Sequence, residues 1–433
     1  MKNKKYLVGV VVLLLFEIQS VVVFGQFTVE ASIRPRPEYR HGYKALNIFD
    51  QSALWIVTQR TRVGLNYQTN KINAKIALQD VRVWGDETQY SSTGTFGDQA
   101  SIDLAEAWLS FKLCPEWTLK AGRQSFSFDD ERLLARRNWN QNGLFYDALS
   151  MTFMSGDWDV QGGFSYNNTT DGIDVESYTP ALIKSLAFAH GFLTIDQHWN
   201  VSLLTLVSSV NATDTSLALY TKGSSGVNLS FKNSRWSLFS SFYYQYGKDA
   251  FGGIVKDVSA YNLNFSAQFN ASHFSVKAGC SVLSGDGAQD VSEKKTHLFD
   301  LLYGARHKYY GLMDYFSNLR KSTAGGGLND FYANLEIPIT TKVQVNGASH
   351  FFYLNKIPAT LHEITSHNGN SFLASEWDFW LKADFWEVIN LQSGYSFLLP
   401  GSQLKSIQNI HEKTGFSSWA WVMITFTVES KTF

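Results

Sequence analysis

The arginines of this sequence are concentrated in its first part. Of the 13 arginines in 433 residues, ten lie between Arg34 and Arg137, although the formal net charge is only −1. Arg34 and Arg36, like Arg60 and Arg62, are two residues apart, a spacing that places both side chains on one face of an extended strand. A guanidinium stays protonated and binds carboxylates through two parallel hydrogen bonds. Such a row of arginines could attract and guide anions.

Carboxylates are interspersed among these arginines. An alternative interpretation is that the arginines form ion pairs that stiffen one wall of the fold, and the sequence leaves both interpretations open for any single arginine. The carboxylates concerned are Glu30, Glu38, Asp80, Glu106, Asp129, Asp130 and Glu131.

No catalytic motif accompanies the arginines. The sequence contains neither a Gly-x-Ser-x-Gly elbow nor a His-Glu-x-x-His zinc motif. His307, His350 and His362 are isolated, and we interpret them as hydrogen-bonded polar residues rather than ligands. We expect no catalytic residue, cofactor or metal. A charged fraction of only 17% with near-neutral balance also argues against disorder and nucleic-acid binding.

The first 25 residues resemble a secretory signal peptide. Lys2, Lys4 and Lys5 precede an apolar stretch over 6–16, and Gly25 offers a small residue before a cut at Gln26. Eleven apolar residues are too few to cross a bilayer as a helix, and no later run approaches ~20. We therefore divide the chain into a signal peptide, 1–25, and a single exported domain, 26–433.

The exported domain alternates apolar and polar residues. Phe27, Val29 and Ile33 alternate with polar residues such as Glu30 and Arg34, and later segments repeat this period of two. The period predicts strands. In lipid every backbone polar group needs a partner, so strands must close into a barrel with one face to lipid and one to the lumen. A change of phase predicts a bulge near Gln79. The alternation predicts a lumen face for Arg34, Arg36, Arg60, Arg62 and Arg82.

Short turns and longer loops alternate along the domain. Eight tight turns and nine longer polar segments predict an all-β, up-and-down antiparallel barrel of 18 strands, with both termini on the periplasmic side. The turns are expected at 68–71, 114–116, 155–157, 196–198, 232–235, 270–272, 340–342 and 385–387. The loops are expected near 41–52, 85–101, 126–143, 168–183, 211–214, 248–257, 284–328, 355–372 and 399–416.

Aromatic residues and prolines occupy positions that such a barrel explains. Tryptophans directly follow four short turns, where an aromatic girdle at the inner membrane interface should lie; they are Trp117, Trp158, Trp199 and Trp236. The terminal Phe433 is typical of chains that the barrel-insertion machinery receives. Pro35 and Pro37 have no backbone N–H, and because they are two residues apart, both missing donors face the same neighbouring strand. We therefore expect weak pairing on one side of the first strand, near its outer end.

The longest predicted loop, 284–328, carries its own charged cluster of Arg306, His307, Lys308 and Asp314. Loops of this length usually have a function. We expect this one to fold inward or to cap the mouth as a constriction or lid; the alternative is a disordered external loop. Cys114 and Cys280 are far apart in sequence, and we expect two unpaired thiols, although a disulfide is not excluded by sequence.

Several segments resemble the alginate export family of porin-like outer-membrane β-barrels. They are QDVRVWG (79–85), DLAEAWLSF (103–111), LKAGRQSFSFDDERLLARRNWNQNG (119–143), FYDALSM (145–151), RPRPEYR (34–40), QRTRVGLNY (59–67), FDLLYGARHKYYGLMDYF (299–316) and WAWVMITF (419–426). The similarity extends over nearly all of the exported domain, and the GRQ-to-RRNW block is its most specific part.

The resemblance implies a monomeric 18-stranded barrel in the outer membrane whose electropositive lumen passes an anionic polyuronate. Its partners would be outer-membrane lipid, the anionic saccharide or small anions, and periplasmic export components. The later part of this chain has few arginines, a departure from the family pattern that bears on the cargo. The motif positions that would form the constriction are Arg34 or Arg36, Arg60, Arg62, Arg82, Glu106, Arg123, Asp130, Arg132 and Arg136.

The expected function is passive passage of anionic saccharides or other carboxylates through an arginine-rich lumen. The alternatives are a general or differently specific porin, a structural or adhesion barrel, and an enzyme in barrel form. An energy-coupled receptor is disfavoured because no plug domain precedes the first strand. The sequence leaves open the cargo, the direction of transport, the pore radius and gating.

Overall fold

The structure is a computed structural model that describes residues 25–48, 51–85, 102–168, 183–211, 218–251, 254–292, 294–361 and 370–432. Strands dominate these ranges. They are β1 (Gln26–His41), β2 (Leu54–Gln68), β3 (Ile72–Val83), β4 (Ile102–Lys112), β5 (Trp117–Gln124), β6 (Tyr146–Ser155), β7 (Trp158–Tyr166), β8 (Ile183–Thr194), β9 (Trp199–Asn211), β10 (Leu219–Lys232), β11 (Trp236–Phe251), β12 (Ile254–Asn270), β13 (Ser275–Leu283), β14 (Lys295–Thr296), β15 (Leu328–Pro338), β16 (Val343–Tyr353), β17 (Phe372–Phe385), β18 (Ile389–Pro400) and β19 (Ser417–Thr432).

Eighteen of these strands form a closed antiparallel barrel. Each wall strand pairs with its neighbour in sequence, and β1 pairs with both β2 and β19, which closes the ring. The two-residue β14 is not part of the wall; it lies in the connection between β13 and β15 and pairs in parallel with β12. The predicted fold class and the predicted number of barrel strands are confirmed. Two short helices, α1 (Leu319–Ser322) and α2 (Ser402–Ile407), lie in connections.

The barrel is apolar outside and polar inside. In β1, Phe27 and Ile33 are 46% and 45% exposed, whereas Arg34 is 3% exposed. The four tryptophans of the predicted inner girdle begin β5, β7, β9 and β11 and are all exposed on the outer face. An outer surface of this kind is stable only against hydrocarbon.

Among the described residues no helix is long and apolar enough to cross a bilayer.

All eight predicted turns are present between consecutive strands. One loop prediction is wrong: the segment 248–257 is mostly strand, because β11 and β12 pair up to Phe251 and Ile254. Lys248 and Asp257 lie opposite each other in this hairpin, 3.5 Å apart. Several predictions fall outside the described residues: the signal peptide up to residue 24, His362, the terminal Phe433, and most of the predicted loops 85–101, 168–183 and 211–214.

The prediction about the prolines of β1 is confirmed. The ladder between β1 and β2 is continuous from Gln26 to Arg40, whereas the ladder between β1 and β19 is interrupted between Ile33 and Glu38. The cause is local: proline has no N–H to donate to the neighbouring strand.

The predicted bulge near Gln79 is displaced. The β2–β3 ladder has a constant register throughout, and the irregularity lies in the β3–β4 ladder between Ala77 and Leu78, where β4 contributes the additional residue Ala105. No disulfide joins Cys114 and Cys280, both of which are free thiols.

Two connections fold into the barrel. We call residues 125–145, between β5 and β6, inner loop 1, and residues 284–327, between β13 and β15, inner loop 2. Their apolar side chains form a buried cluster inside the barrel, with Phe128 and Leu134 from inner loop 1 and Phe299, Met313 and Phe316 from inner loop 2. The expectation that the longest loop folds inward is therefore met.

Candidate functional site inside the barrel

Arg34 of β1 holds inner loop 1 against the wall. Its Nη1 donates to the carbonyl oxygen of Asn138 at 2.7 Å, and its Nη2 donates to the carbonyls of Trp139 and Asn140 at 3.3 and 3.1 Å. Its Nε and Nη2 also donate to Oε1 of Gln141 at 3.0 and 2.8 Å. The planar guanidinium, with several donors, suits such a cluster of acceptors. The arginine thus fixes the end of inner loop 1.

Arg36 connects the same loop to a buried carboxylate. Its Nη1 donates to the Trp139 carbonyl at 3.0 Å, and its guanidinium lies 4.8 Å from the centre of the Trp139 ring. Its Nε is 2.9 Å from Glu38, which is 1% exposed. Glu38 also accepts from Arg40 and from the indole Nε1 of Trp419. A buried carboxylate with this many donors is well compensated.

Arg60 and Arg62 of β2 extend the contact with inner loop 1. Arg60 donates to the side-chain oxygen of Asn138 at 3.0 Å. Arg62 donates to Gln79 at 3.0 Å and approaches the carbonyl of Asn142 at 3.5 Å. The predicted ladder of arginines on one wall therefore contains Arg34, Arg36, Arg60 and Arg62.

Three of these four guanidinium charges have no carboxylate within ion-pair distance. Within the described ranges, Arg34, Arg60 and Arg62 donate only to neutral oxygens, and Arg36 alone forms a salt bridge. A hydrogen bond to a carbonyl oxygen leaves the net charge of the guanidinium unneutralised. At these three positions the guanidinium groups are contacted by neutral acceptors only.

The structure corrects the predicted placement of Arg82 and Arg123. Because the β2–β3 ladder has no bulge, Arg82 shares the outward face of its cross-strand partner Gln59 and pairs with Asp80 at 2.7 Å. Arg123 lies at the outer end of β5 on the outward face and pairs with Asp147 at 3.1 Å. Neither arginine belongs to the wall that contacts inner loop 1.

Glu106 and Arg136 were also predicted at the constriction. Glu106 faces the lumen from β4 and lies 3.3 Å from Lys75 and from the indole nitrogen of Trp108. Arg136 belongs to inner loop 1, and its side chain is exposed. Of these two residues, Glu106 is paired with a lysine, whereas the side chain of Arg136 is exposed.

Sequence reasoning missed the anchor of inner loop 1 on the opposite wall. Asp129 accepts hydrogen bonds from His190 of β8 at 3.0 Å, Ser202 of β9 at 2.5 Å and Asn228 of β10 at 2.9 Å. Tyr243 of β11 donates to Asn228 at 2.7 Å. Three consecutive strands thus converge on one carboxylate, and the fourth supports it through Asn228. The acidic run 129–131 was the only sequence signal for it.

Asp130 and Arg132 join the two inner loops. Arg132 Nε lies 2.8 Å from Asp130, and its Nη1 donates to the Tyr310 hydroxyl at 2.8 Å. The guanidinium lies 3.9 Å from the centre of the Tyr309 ring. Lys308 lies 3.1 Å from Glu131. The two loops therefore form one continuous polar and aromatic contact.

Arg137 fastens inner loop 1 to the start of the 306–308 turn. It donates to the carbonyls of Gly304 and Leu302 at 2.9 and 2.8 Å. Burial, together with the nearby charge of Arg306, lowers the pKa of Arg137 to about 10. The side chain remains a cation at neutral pH.

His307 and Asp314 of inner loop 2 meet residues that follow β1. His307 Nδ1 is 2.8 Å from Asp314, and its ring stacks on Trp139 with centroids 4.2 Å apart. Asp314 also accepts from the Tyr43 hydroxyl at 2.6 Å and lies 3.7 Å from Lys44. Burial alone would raise the pKa of Asp314, but His307, Lys44 and Tyr43 outweigh burial and hold it below its ordinary value.

Inner loop 2 also approaches β17 closely. Glu376 accepts the backbone N–H of Met313 at 2.7 Å. Gly311 has a φ of +82°, and a Cβ at this position would lie 2.5 Å from the Glu376 carboxylate. The site therefore requires glycine for two reasons, the positive φ and the close approach.

A chamber of about 510 Å³ remains beside the inner loops. It is lined by cationic side chains from three segments, by amide side chains and by three indole rings. The cations are Lys44, Arg137, Arg306 and Lys308, and the tryptophans are Trp139, Trp380 and Trp421. Of the predicted lid residues, Arg306, His307, Lys308 and Asp314 all line this chamber. Within the described part of the chain, no group of three or more His, Cys, Asp or Glu side chains is arranged to hold a metal ion.

Comparisons with known proteins agree with this architecture. Residues 28–165 match the family described as alginate export, a stretch that extends from near the start of β1 to near the end of β7 and includes inner loop 1. No curated protein matches the chain in sequence.

Solved structures match over nearly the whole chain. Pseudomonas aeruginosa OccK9 (OpdG) superimposes with a TM-score of 0.61 at 10% identity, covering 93% of this chain and 98% of its own. The outer membrane protein opdK from Pseudomonas aeruginosa gives 0.60 at 7% identity, covering 93% and 99%. Acinetobacter baumannii OccAB4 gives 0.59 at 12% identity, covering 94% and 98%.

At these identities the structural matches establish the fold, and the family match adds a sequence relationship over the first part of the exported domain. With the apolar belt, they identify the chain as a porin-like outer-membrane β-barrel that is similar to the alginate export family over residues 28–165.

Proposed function

We propose that this barrel is a passive outer-membrane channel for anionic saccharides of the polyuronate type or for related carboxylates. The observation that carries the proposal is the positive charge left along inner loop 1, where Arg34, Arg60 and Arg62 donate only to neutral oxygens. In a narrow site with low-dielectric walls, such charge raises the local concentration of anions and excludes cations.

The composition of the chamber favours a sugar acid over a simple anion. The partly exposed indole of Trp380 offers a flat apolar surface for a sugar ring, and Lys44, Arg137, Arg306 and Lys308 offer donors to its carboxylate. Nearby carboxylates such as Glu131 and Asp314 keep each binding position shallow. Shallow sites suit conduction, because a solute must leave as readily as it enters.

Ion selectivity tests the proposal. The double variant Arg60→Gln with Arg62→Gln removes two positive charges but keeps hydrogen-bond donors, and Arg60→Lys with Arg62→Lys keeps the charge. Reversal potentials in planar bilayers under a salt gradient should move toward cation preference only in the glutamine variant. Arg235→Gln, in an exposed periplasmic turn, is the matched control and should match the wild type. An unchanged reversal potential in the glutamine variant would overturn the proposal.

A general porin is the second candidate, since the fold is shared by channels that differ in cargo. Current blockade distinguishes the two. Oligouronates should interrupt the single-channel current at concentrations at which neutral oligosaccharides of equal length have no effect. Equal blockade by both would favour the general porin. The passive mechanism, a monomeric state and partnership with periplasmic export components belong to the same proposal.

A further inference from the structure

The seam between the first and last strands lacks two backbone donors inside the membrane. β1 and β19 keep the same register on both sides of the interruption, from Phe27↔Thr432 to Ile33↔Phe426 and again from Glu38↔Trp421. This register places Pro35 opposite Ile424 and Pro37 opposite Val422. Since proline has no N–H, β1 offers no donor to the carbonyl oxygens of Val422 and Ile424. A backbone carbonyl without a donor is costly in hydrocarbon.

An apolar groove of about 720 Å³ begins at this seam on the outer surface of the barrel. It follows the row of residues Glu38, Trp421, Gly394 and Trp380, which are direct neighbours across β1, β19, β18 and β17. The side chains of Glu38 and Trp421 are buried, so the floor of the groove consists of backbone and of the side-chain-free Gly394. Its walls are outward side chains that are mostly apolar, with Ser393 beside Val422 as a hydroxyl among them: Pro37, Tyr39, Trp55, Val345, Phe379, Leu381, Ser393, Tyr395, Ala420 and Val422.

The groove descends through the membrane. At the seam it lies beside Tyr39 and Trp55, which stack edge to face with centroids 5.0 Å apart near the outer ends of β1 and β2. Its other end is at Val345, near the periplasmic start of β16. Four interstrand steps of about 4.8 Å give a length of roughly 19 Å. An aromatic pair at the upper end is typical of the membrane interface.

We propose that this groove is a specific site for one acyl chain of an outer-leaflet lipid whose head end carries an amide or hydroxyl donor. The chain lies along the floor from the seam toward Val345, and the donor hydrogen-bonds the carbonyl of Val422, which Pro37 leaves without a partner from β1. Three features support this occupant: the groove is continuous with the lipid-facing belt, its mostly apolar walls disfavour a polar solute, and the acceptor lies at its upper, interfacial end. The site is separate from the lumen and does not depend on the channel's cargo.

Lipid retention measured by native mass spectrometry tests the site. The purified protein is exchanged into detergent and titrated with two matched probes, a lipid with a 3-hydroxyacyl chain in amide linkage and its ester analogue without the hydroxyl. Wild-type protein should bind one copy of the amide probe more tightly than the ester, by about fivefold for one hydrogen bond.

Two variants and one control make the test decisive. Val422→Trp fills the groove at the seam and should abolish binding of both probes, whereas Val428→Trp, on the outward face of the same strand but outside the groove, should bind like the wild type. Pro37→Ala restores an N–H for Val422 and should remove the preference for the amide probe without removing binding. Equal retention by Val422→Trp and Val428→Trp would overturn the site, and an equal affinity of the wild type for both probes would overturn the role of the carbonyl.

Discussion

Arg34 should control the local stability of inner loop 1. Replacing it with leucine removes all of its own guanidinium contacts to residues 138–141, of which the shortest are 2.7 Å to the Asn138 carbonyl and 2.8 Å to Gln141, while the contacts of Arg36 and Arg60 remain. One charge-assisted hydrogen bond contributes about 1.5–3 kcal/mol, and contacts that share one guanidinium are not additive. We therefore expect the free energy of opening the loop to fall by about 3 kcal/mol, which is roughly a hundredfold in the opening equilibrium.

Native-state amide hydrogen exchange measures this opening directly. The backbone N–H of Leu144, which donates to the Arg136 carbonyl at 2.9 Å, should exchange about a hundredfold faster in Arg34→Leu. Amides of β9, on the far side of the barrel, serve as the internal reference and should not change. Arg34→Lys, which keeps the charge but not the planar fork, should give an intermediate rate. If Leu144 exchanged at the wild-type rate in Arg34→Leu, the loop would be held by other contacts and the argument for this arginine would fail.

Three further predictions concern the loops and the membrane belt. Because the folded-state pKa of Asp314 is depressed, its contacts should stabilise inner loop 2 above the ordinary carboxyl pKa and be lost as the pH falls below about 4. Amide exchange rates across 305–317, corrected for intrinsic pH dependence, should rise at this pH in the wild type and be pH-independent in Asp314→Asn. A wild-type profile that is flat down to pH 2 would contradict this. Replacing residues 304–318 with a short Gly-Ser linker should widen the lumen and raise single-channel conductance, so an unaltered conductance would mean that inner loop 2 is not part of the constriction. Leu203→Arg, on the outward face of β9, should cost about 2–4 kcal/mol of unfolding free energy in vesicles, whereas Ile195→Arg in the periplasmic turn should cost about 0–1 kcal/mol; equal costs would contradict the assigned position of the belt.

The barrel was predictable because its signal is local. The alternation that begins at Phe27 and the turn residues between strands are both visible within ten residues of sequence, and the lipid-facing side chains confirm them. The two wrong predictions about the wall strands, the bulge near Gln79 and the loop 248–257, occur where charged residues on strands interrupt the expected pattern of apolar and polar residues. Val81 and Val83 suggested a change of phase, but the polar Asp80 and Arg82 face outward as an ion pair near the outer end of β3. Lys248 and Asp257 suggested a polar loop, yet they form a cross-strand ion pair.

The interior could be predicted only in part. Period two placed Arg34, Arg36, Arg60 and Arg62 on one inner face, but it could not identify their acceptors, since Arg34 and Gln141 are 107 residues apart in sequence. The convergence of His190, Ser202 and Asn228 on Asp129 likewise depends on which strands become neighbours and how far inner loop 1 reaches. Single hydrogen bonds across such separations leave no periodic trace in one sequence.

These long separations also order the steps by which the protein matures. Inner loop 1 is held by β1 and β2 on one side and by β8, β9 and β10 on the other, and inner loop 2 contacts β17, so neither loop can dock until distant strands are in place. Contacts of high sequence separation form late, because the entropy of closing the chain must be overcome first. We therefore expect the barrel to close before its interior is filled, so that docking of the two inner loops, rather than pairing of the wall strands, is the last step of maturation.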